Sequence, residues 1–161
     1  MPDDISLAAR LATPSDVATV VSLYRQLEVE QSALKDMWPL ADGLAEPVED
    51  SALQAIDDPD SVVVIGEAEA VPFGFVLARI EELLPQAGGA RVGAIRLIFT
   101  EHEARGVGIG ETMIGFTLEQ LRKQGLERFD AHVLPGHRHA KNFFEASGFA
   151  ARSIIMHHRD G

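Results

Sequence analysis

The sequence predicts an α/β (α+β) fold, a mixed β-sheet carrying helices on both faces. Three observations predict it. Apolar, β-branched runs of strand length alternate with segments whose apolar residues recur every three or four positions. Two of the runs, residues 61–67 and 71–84, are separated by only a few residues and read as a hairpin. A third run, Ile95-Arg96-Leu97-Ile98-Phe99-Thr100, leads through the glycine-rich stretch Arg105-Gly106-Val107-Gly108-Ile109-Gly110 into a helical pattern.

In chain order, residues 5–11 form a first strand. Thr13-Pro14-Ser15-Asp16 then starts a helix, with Thr13 as N-cap, Pro14 at the first helical position and Asp16 in capping-box register. Val17, Val20, Val21, Tyr24 and Leu27 make its buried stripe. Residues 31–59 are irregular and acidic, broken by Pro39, Gly43, Pro47 and Pro59, with room for one or two short helices. The hairpin, a loop at 85–90 and the central strand follow. After the glycines, Ile109, Met113, Ile114, Phe116, Leu118 and Leu121 give a helix that closes on Arg122, Lys123 and Gly125. Residues 129–134 read as a strand, 137–147 as a helix closed by Gly148, and 151–158 as a final strand. With no linker, repeat or low-complexity stretch, the expectation is one domain over residues 1–161.

Bulk properties narrow the function classes. No apolar run approaches the ~18 residues of a membrane span, and the acidic N-terminus is unlike a secretory signal. The absence of cysteine excludes a thiol nucleophile and is compatible with a cytoplasmic location. A net charge of -11 argues against nucleic acid as a partner and favours attraction of a cationic amine.

A glycine turn between strand and helix leaves backbone N–H groups unpaired at the helix start, with the helix dipole behind them. That is a site for phosphate or pyrophosphate, and glycine lets the backbone approach the anion. The Gly106-x-Gly108-x-Gly110 spacing differs from the dinucleotide fingerprint, and no Gly-Lys-Ser or Gly-Lys-Thr closes a P-loop. It resembles the Arg/Gln-x-x-Gly-x-Gly/Ala loop of the GNAT superfamily of acyl-CoA-dependent N-acyltransferases. Ala140-Lys141-Asn142-Phe143-Phe144-Glu145-Ala146-Ser147-Gly148-Phe149 is similar to that family's Ala-x-x-Phe-Tyr-Glu-x-x-Gly-Phe segment.

The resemblance implies a central mixed sheet of six to seven strands, and acetyl-CoA as co-substrate without a metal. It implies direct acyl transfer to a primary amine of a small molecule or peptide. It places the pantetheine arm against the backbone of Ile98, Phe99 and Thr100. It places the pyrophosphate on the N–H groups from Gly106 through Val107, Gly108, Ile109 and Gly110 to Glu111, with Arg105 adding charge-assisted contacts. His137 stands where the family has an Asn that can reach the pantetheine. In the acceptor-binding regions, residues 31–59 and 85–90, Trp38 and Met37 would line the pocket or pin the segment to the core, and Asp36 and Asp42 are among the acids available to an amine.

The acid–base residues depart from the family. Ala94 holds the register of one family base, and His132 that of another. A histidine with a reference pKa of about 6.5 is mostly neutral at working pH and can take the amine's proton. Glu101 is a second candidate base. Phe144 replaces the tyrosine that protonates the departing thiolate, a step that a good thiolate leaving group can do without. Two other readings follow from the same residues: a degenerate domain that binds acyl-CoA without turnover, and a metal site built from His132, His137, His139, His157 and His158 with Asp130. The apolar Ile154-Ile155-Met156 at a sheet edge implies a homodimer.

Overall fold

The computed structural model describes residues 4–34 and 42–161. The elements are β1 (Leu7–Leu11), α1 (Val17–Leu34), α2 (Val48–Asp57), β2 (Ser61–Ala68), β3 (Val71–Glu82), β4 (Arg91–Thr100), α3 (Ile109–Lys123), β5 (Phe129–Ala131) and α4 (Arg138–Ala146). The strands lie in sequence order, β1 to β4 antiparallel and β5 parallel to β4. The chain must therefore cross over between β4 and β5, and α3 makes that crossover.

Each helix forms for a local reason. A short turn at Pro14–Asp16 leads into α1, where the Asp16 carboxylate accepts the Thr13 backbone N–H at 2.8 Å and a bidentate pair from Arg10. The hairpin between β2 and β3 turns at Glu69 and Ala70, both left-handed (φ 50° and 63°) as a two-residue turn requires. Arg122 and Lys123 in the last turn of α3 complement its C-terminal dipole.

Two apolar layers sandwich the sheet. On one face, Val20, Leu23, Tyr24 and Leu27 of α1 and Val48, Ala52 and Ala55 of α2 pack on Val63, Ile65, Phe75, Leu77, Leu97 and Phe99. On the other, Ile109, Met113, Ile114 and Leu121 of α3 and Phe144 of α4 pack on Val62, Val64, Val76, Ala78 and Ile95. Each fully buried aliphatic contributes on the order of 1.5–3 kcal/mol. Glycine sets how close α3 comes: a Cβ at Gly66 would stand 2.6 Å from Met113 Sδ, and one at Gly74 2.9 Å from Met113 Cε.

Strict alternation would put Ile95, Leu97 and Phe99 on one face, yet Ile95 packs under α3 and the other two under α1. The cause is a β-bulge. Leu77 pairs with Leu97 and Ala78 with Ile95, which leaves Arg96 as the extra residue.

Two strand expectations are corrected. Among the described residues the sheet has five strands, not six to seven. Residues 151–161 form no strand, and Ile154, Ile155 and Met156 are 79%, 89% and 87% exposed. The last described strand, β5, is three residues long, and it is tied to this tail through a side chain: Arg152 Nε donates to Asp130 Oδ1 at 2.8 Å. Without a backbone ladder, an apolar run of strand length stays irregular. Trp38, Met37 and Asp36 lie outside the described residues.

Candidate active site

The parallel pairing of β4 with β5 is brief. It runs Gly93↔Phe129, Ala94↔Asp130 and Ile95↔Ala131, and ends where the His132 N–H donates to the Ile95 carbonyl at 3.0 Å. Beyond that point β4 continues to Thr100, paired with β3 alone, so the edge carrying Ile98, Phe99 and Thr100 is open toward the diverging chain. Phe99 is buried, while Ile98 and Thr100 are half-buried; side chains pack while the far backbone edge has no strand partner, its Thr100 carbonyl alone being taken, by Arg105 Nε. An open edge beside a splayed strand can take an extended amide-bearing chain as an added strand.

The glycine turn lies just past the end of β4. Gly106 (φ 86°) and Gly108 (φ 102°) are left-handed, and Gly108 is the N-cap of α3. A Cβ on Gly106 would meet nothing within 4 Å, so the missing side chain leaves open space over the turn. Among the described residues no side chain and no loop carbonyl takes the N–H groups of Gly106, Val107, Gly108, Ile109, Gly110 or Glu111. Ile109 is buried and anchors the helix start, Val107 is 37% exposed, and Glu111 faces solvent. Gly110 allows α4 to close on α3: its Cβ would stand 3.2 Å from Phe143 Cε1. The turn therefore presents a row of free N–H donors at a helix N-terminus, a fit for pyrophosphate.

The Arg105 guanidinium is already engaged. Nη1 and Nη2 hold Glu30 at 2.6 and 2.9 Å, Nε donates to the Thr100 carbonyl at 2.9 Å, and the group lies 5.4 Å from the centre of the Phe99 ring. It braces α1 against the end of β4. Burial raises the Glu30 carboxyl, but the Arg105 hydrogen bond and charge outweigh that and leave it below its ordinary value.

His137 caps α4, its Nδ1 accepting the Ala140 N–H at 3.1 Å. Burial pushes its pKa below the ordinary histidine value, in keeping with a neutral ring whose Nδ1 lone pair is in use. Phe144 is 3% exposed and meets Phe143 and Phe149 edge to face, so it belongs to the core. Ala94 is fully buried. Glu101 accepts a hydrogen bond from Gln26 Nε2 at 3.0 Å.

His132 is at the point where the strands part, its side chain 39% exposed. Its Nδ1 lies 3.1 Å from Asp42 Oδ2 and 3.2 Å from Arg96 Nη1. One nitrogen cannot serve both as donor and as acceptor. Asp42 can only accept, and Arg96 Nη1 already donates to Asp42 Oδ1 at 2.7 Å, so the ring proton belongs on Nδ1, directed at Asp42. Nε2 then carries the lone pair. Burial raises the Asp42 carboxyl, and the His132 hydrogen bond and the charges of His132 and Arg96 more than offset it, leaving its pKa below the ordinary value.

Arg96 completes the network with a fork onto Glu81, Nε to Oε2 at 2.8 Å and Nη2 to Oε1 at 2.7 Å. The bulge delivers Arg96 to this place, as bulges often re-aim a side chain. Arg96 and Glu81 were not among the residues predicted from sequence. One signal was available, an arginine inside the apolar run from Ile95 to Phe99.

Beside the network lies a cavity of about 200 Å³ bordered by Asp42, Leu44, Leu77, Arg79, Glu81 and Arg96. A second, of about 320 Å³, is bordered by residues 43–45, Ser51, Gln54, Ala55, Asp58 and again Arg79. Of the two segments predicted to shape the acceptor site, 31–59 supplies wall residues, whereas 85–90 is an exposed turn that borders neither cavity. The histidines do not converge: among the described residues no group of three or more His, Cys, Asp or Glu could hold a metal ion. Asp130 pairs with Arg152 and His158 with Asp160. No helix among the described residues is long and apolar enough to cross a membrane.

An open strand edge beside a row of free N–H donors at a helix start fits a ligand with an extended amide arm and a pyrophosphate. The sequence matches the Acetyltransferase (GNAT) family over residues 23–149, and the chain belongs to that family. A comparison with curated proteins finds no match. Among solved structures, the fold is similar to aminoglycoside N-acetyltransferase AAC(6')-Iy in complex with CoA, with 17% identity, a TM-score of 0.73 and coverage of 99% of this chain and 98% of that one. It is also similar to a ribosomal-protein-alanine N-acetyltransferase from Brucella melitensis biovar Abortus 2308 (17% identity, TM-score 0.65, 97% and 100% covered). A transcriptional regulator from Bacillus halodurans C-125 matches at 19% identity and a TM-score of 0.75, with 95% and 100% covered.

Proposed function

We propose that this protein is an N-acetyltransferase that moves an acetyl group from acetyl-CoA directly to a primary amine. The observation that carries this reading is the pairing of an open β4 edge with a free row of N–H donors on the adjoining turn, in a chain of the GNAT family. The backbone of Gly106 to Glu111 holds the pyrophosphate, and Ile98, Phe99 and Thr100 hold the pantetheine amides. His137, with Nδ1 used in its cap, turns Nε2–H outward as a donor for the same arm. Arg105 supports this site by bracing β4 through Glu30 rather than by pairing with phosphate in this conformation.

Acetyl-CoA supplies the thioester. His132 takes the amine's proton at Nε2, and Asp42 holds the ring in the tautomer that leaves Nε2 free. The amine nitrogen bonds to the acetyl carbon as the carbon–sulfur bond breaks, and the thiolate leaves with the electron pair. No acid is needed in the place of Phe144, since a thiol of pKa ~8.5 leaves readily as its anion. The exposed apolar run Ile154-Ile155-Met156 supports self-association of two copies, which sedimentation at micromolar concentration tests.

Gly108→Glu tests the site. A carboxylate on a left-handed N-cap would strain the turn and repel the pyrophosphate. Calorimetry is expected to show acetyl-CoA binding to the wild type and little to the variant; equal affinity would refute the assignment. Release of free thiol with an amine panel separates an enzyme from a binder without turnover.

A further inference from the structure

We propose that the acceptor carries a carboxylate as well as its amine, and that Arg79 binds that carboxylate. This inference rests on the acetyltransferase reading and names the substrate class of the same site.

Arg79 is half-buried on β3 and borders both cavities. It makes no hydrogen bond or ion pair among the described residues. Every other half-buried arginine has carboxylate partners: Arg10 has Asp16 and Glu67, Arg96 has Asp42 and Glu81, and Arg105 has Glu30. A partly buried guanidinium facing a cavity with its five donors unused is an unpaid desolvation cost unless a ligand meets it.

The nearby acids do not change this. Both Asp42 oxygens are taken, by Arg96 and His132, and both Glu81 oxygens by Arg96. Among the charged residues bordering the first cavity, Asp42 and Glu81 are balanced by Arg96 and Arg79, so the cavity has no excess negative charge. The whole chain is strongly acidic, but that field only steers a cation toward the surface. At the site itself the unsatisfied group is a cation. A polycationic acceptor would meet bound carboxylates and a free arginine, whereas a carboxylate would meet a planar fork suited to bidentate pairing.

The register sets the length of the acceptor. Arg79 pairs with Ala94 on β4, and Ala94 with Asp130 on β5, two residues before His132. Strands stand ~4.8 Å apart and rise ~3.3 Å per residue, so the backbones of Arg79 and His132 are separated by roughly 12 Å. The Arg79 and His132 side chains shorten that span without closing it. An amine delivered to His132 Nε2 therefore has its carboxylate several bonds away. This favours ω-amino acids, or the side-chain amine of a diamino acid, over a simple α-amino acid. Leu44, Leu77 and Leu97 supply an apolar wall for the methylenes between the two groups.

The test uses the full chain and acetyl-CoA, with thiol release as readout. The panel holds ω-amino acids of increasing length, each matched with its carboxamide, and an aminoglycoside as a polycationic comparison. Wild-type kcat/KM is expected to be at least tenfold higher for an acid than for its amide, with the best length beyond the α-amino acid. Arg79→Ala should collapse that preference by raising KM for the acid far more than for the amide, with acetyl-CoA affinity unchanged. Arg79→Lys should retain part of it. Equal rates on acid and amide, a preference that survives Arg79→Ala, or faster turnover of the aminoglycoside would overturn the proposal. So would acetyl-CoA binding with no turnover of any acid, which would leave the acetyl-CoA site itself standing. Loss of acetyl-CoA binding in the wild type would instead refute the underlying function.

Discussion

Asp42 is 90 residues before His132 in the chain, and removing its charge without changing its shape probes what the contact does. In Asp42→Asn the amide oxygen can still face the ring, but the negative charge that fixes the proton on Nδ1 is gone. The contact spans 3.1 Å, and Asp42 retains its charge against burial because of it. A hydrogen bond to a charged group is worth about 1.5–3 kcal/mol, which converts to roughly a 10- to 150-fold change in a rate or equilibrium. Since the histidine is proposed to act only on the amine's proton, that loss is expected in kcat. Acetyl-CoA affinity, held by the glycine turn on another part of the sheet, should stay within twofold. The assay is thiol release across pH for wild type, Asp42→Asn and His132→Ala, with calorimetry of acetyl-CoA alongside. The two variants should lose the same rising step in kcat, because in the proposed mechanism Asp42 holds the tautomer and His132 is the base. A full wild-type profile in Asp42→Asn would show that the dyad is structural. So would a His132→Ala profile that rises at the amine's own pKa as the wild type does.

Three further outcomes concern stability. Asp16 is held down to about 2, chiefly by its hydrogen bonds to Arg10, so its contribution is present above the unfolded carboxyl value and is lost as pH falls from about 4 toward 2. Arg10 is 40% exposed, which limits the effect to about 1–2 kcal/mol; Asp16→Asn should lower the denaturation midpoint at pH 7 and flatten the acid limb. The depressed pKa of His137 means that the unfolded chain binds more protons near pH 6, so stability should fall as pH drops below the ordinary histidine range. His137→Asn keeps a cap oxygen for the Ala140 N–H and should remove that slope in urea titrations at pH 7 and pH 5.5. Ala70→Gly relieves a left-handed alanine and should raise the thermal midpoint by a few degrees, for a gain of about 1 kcal/mol; a drop would mean that chain entropy outweighs the turn strain.

The glycine turn at the start of α3 was legible because it is local. A strand, a glycine turn and a helix start occupy adjacent residues, and their hydrogen-bonding needs follow from backbone chemistry wherever the chain lies. The same holds for the Thr13 to Asp16 helix start, the β2–β3 hairpin and the glycine-closed ends of α3 and α4. The network around His132 was largely hidden. His132 was singled out by its register in the family resemblance, but Asp42 and Arg96 meet it across sequence separations of 90 and 36 residues, Glu81 joins through Arg96, and nothing in the local pattern pairs them.

By itself the sequence determined the segments that become β1 to β4, α1, α3 and α4, the turns between them, and that free backbone donors stand at the start of α3. Tertiary structure decided the rest. The bulge at Arg96 reverses the alternation of β4, turning Ile95 toward α3 and bringing Arg96 to Asp42, because pairing with β3 is shifted by one residue there. Arg105 joins Glu30, 75 residues away, where the family resemblance implied phosphate as its partner. The tail at 151–161, apolar enough for a strand, stays irregular and exposed. Strand character becomes a strand only where a neighbouring backbone accepts its hydrogen bonds, and that neighbour is a property of the fold.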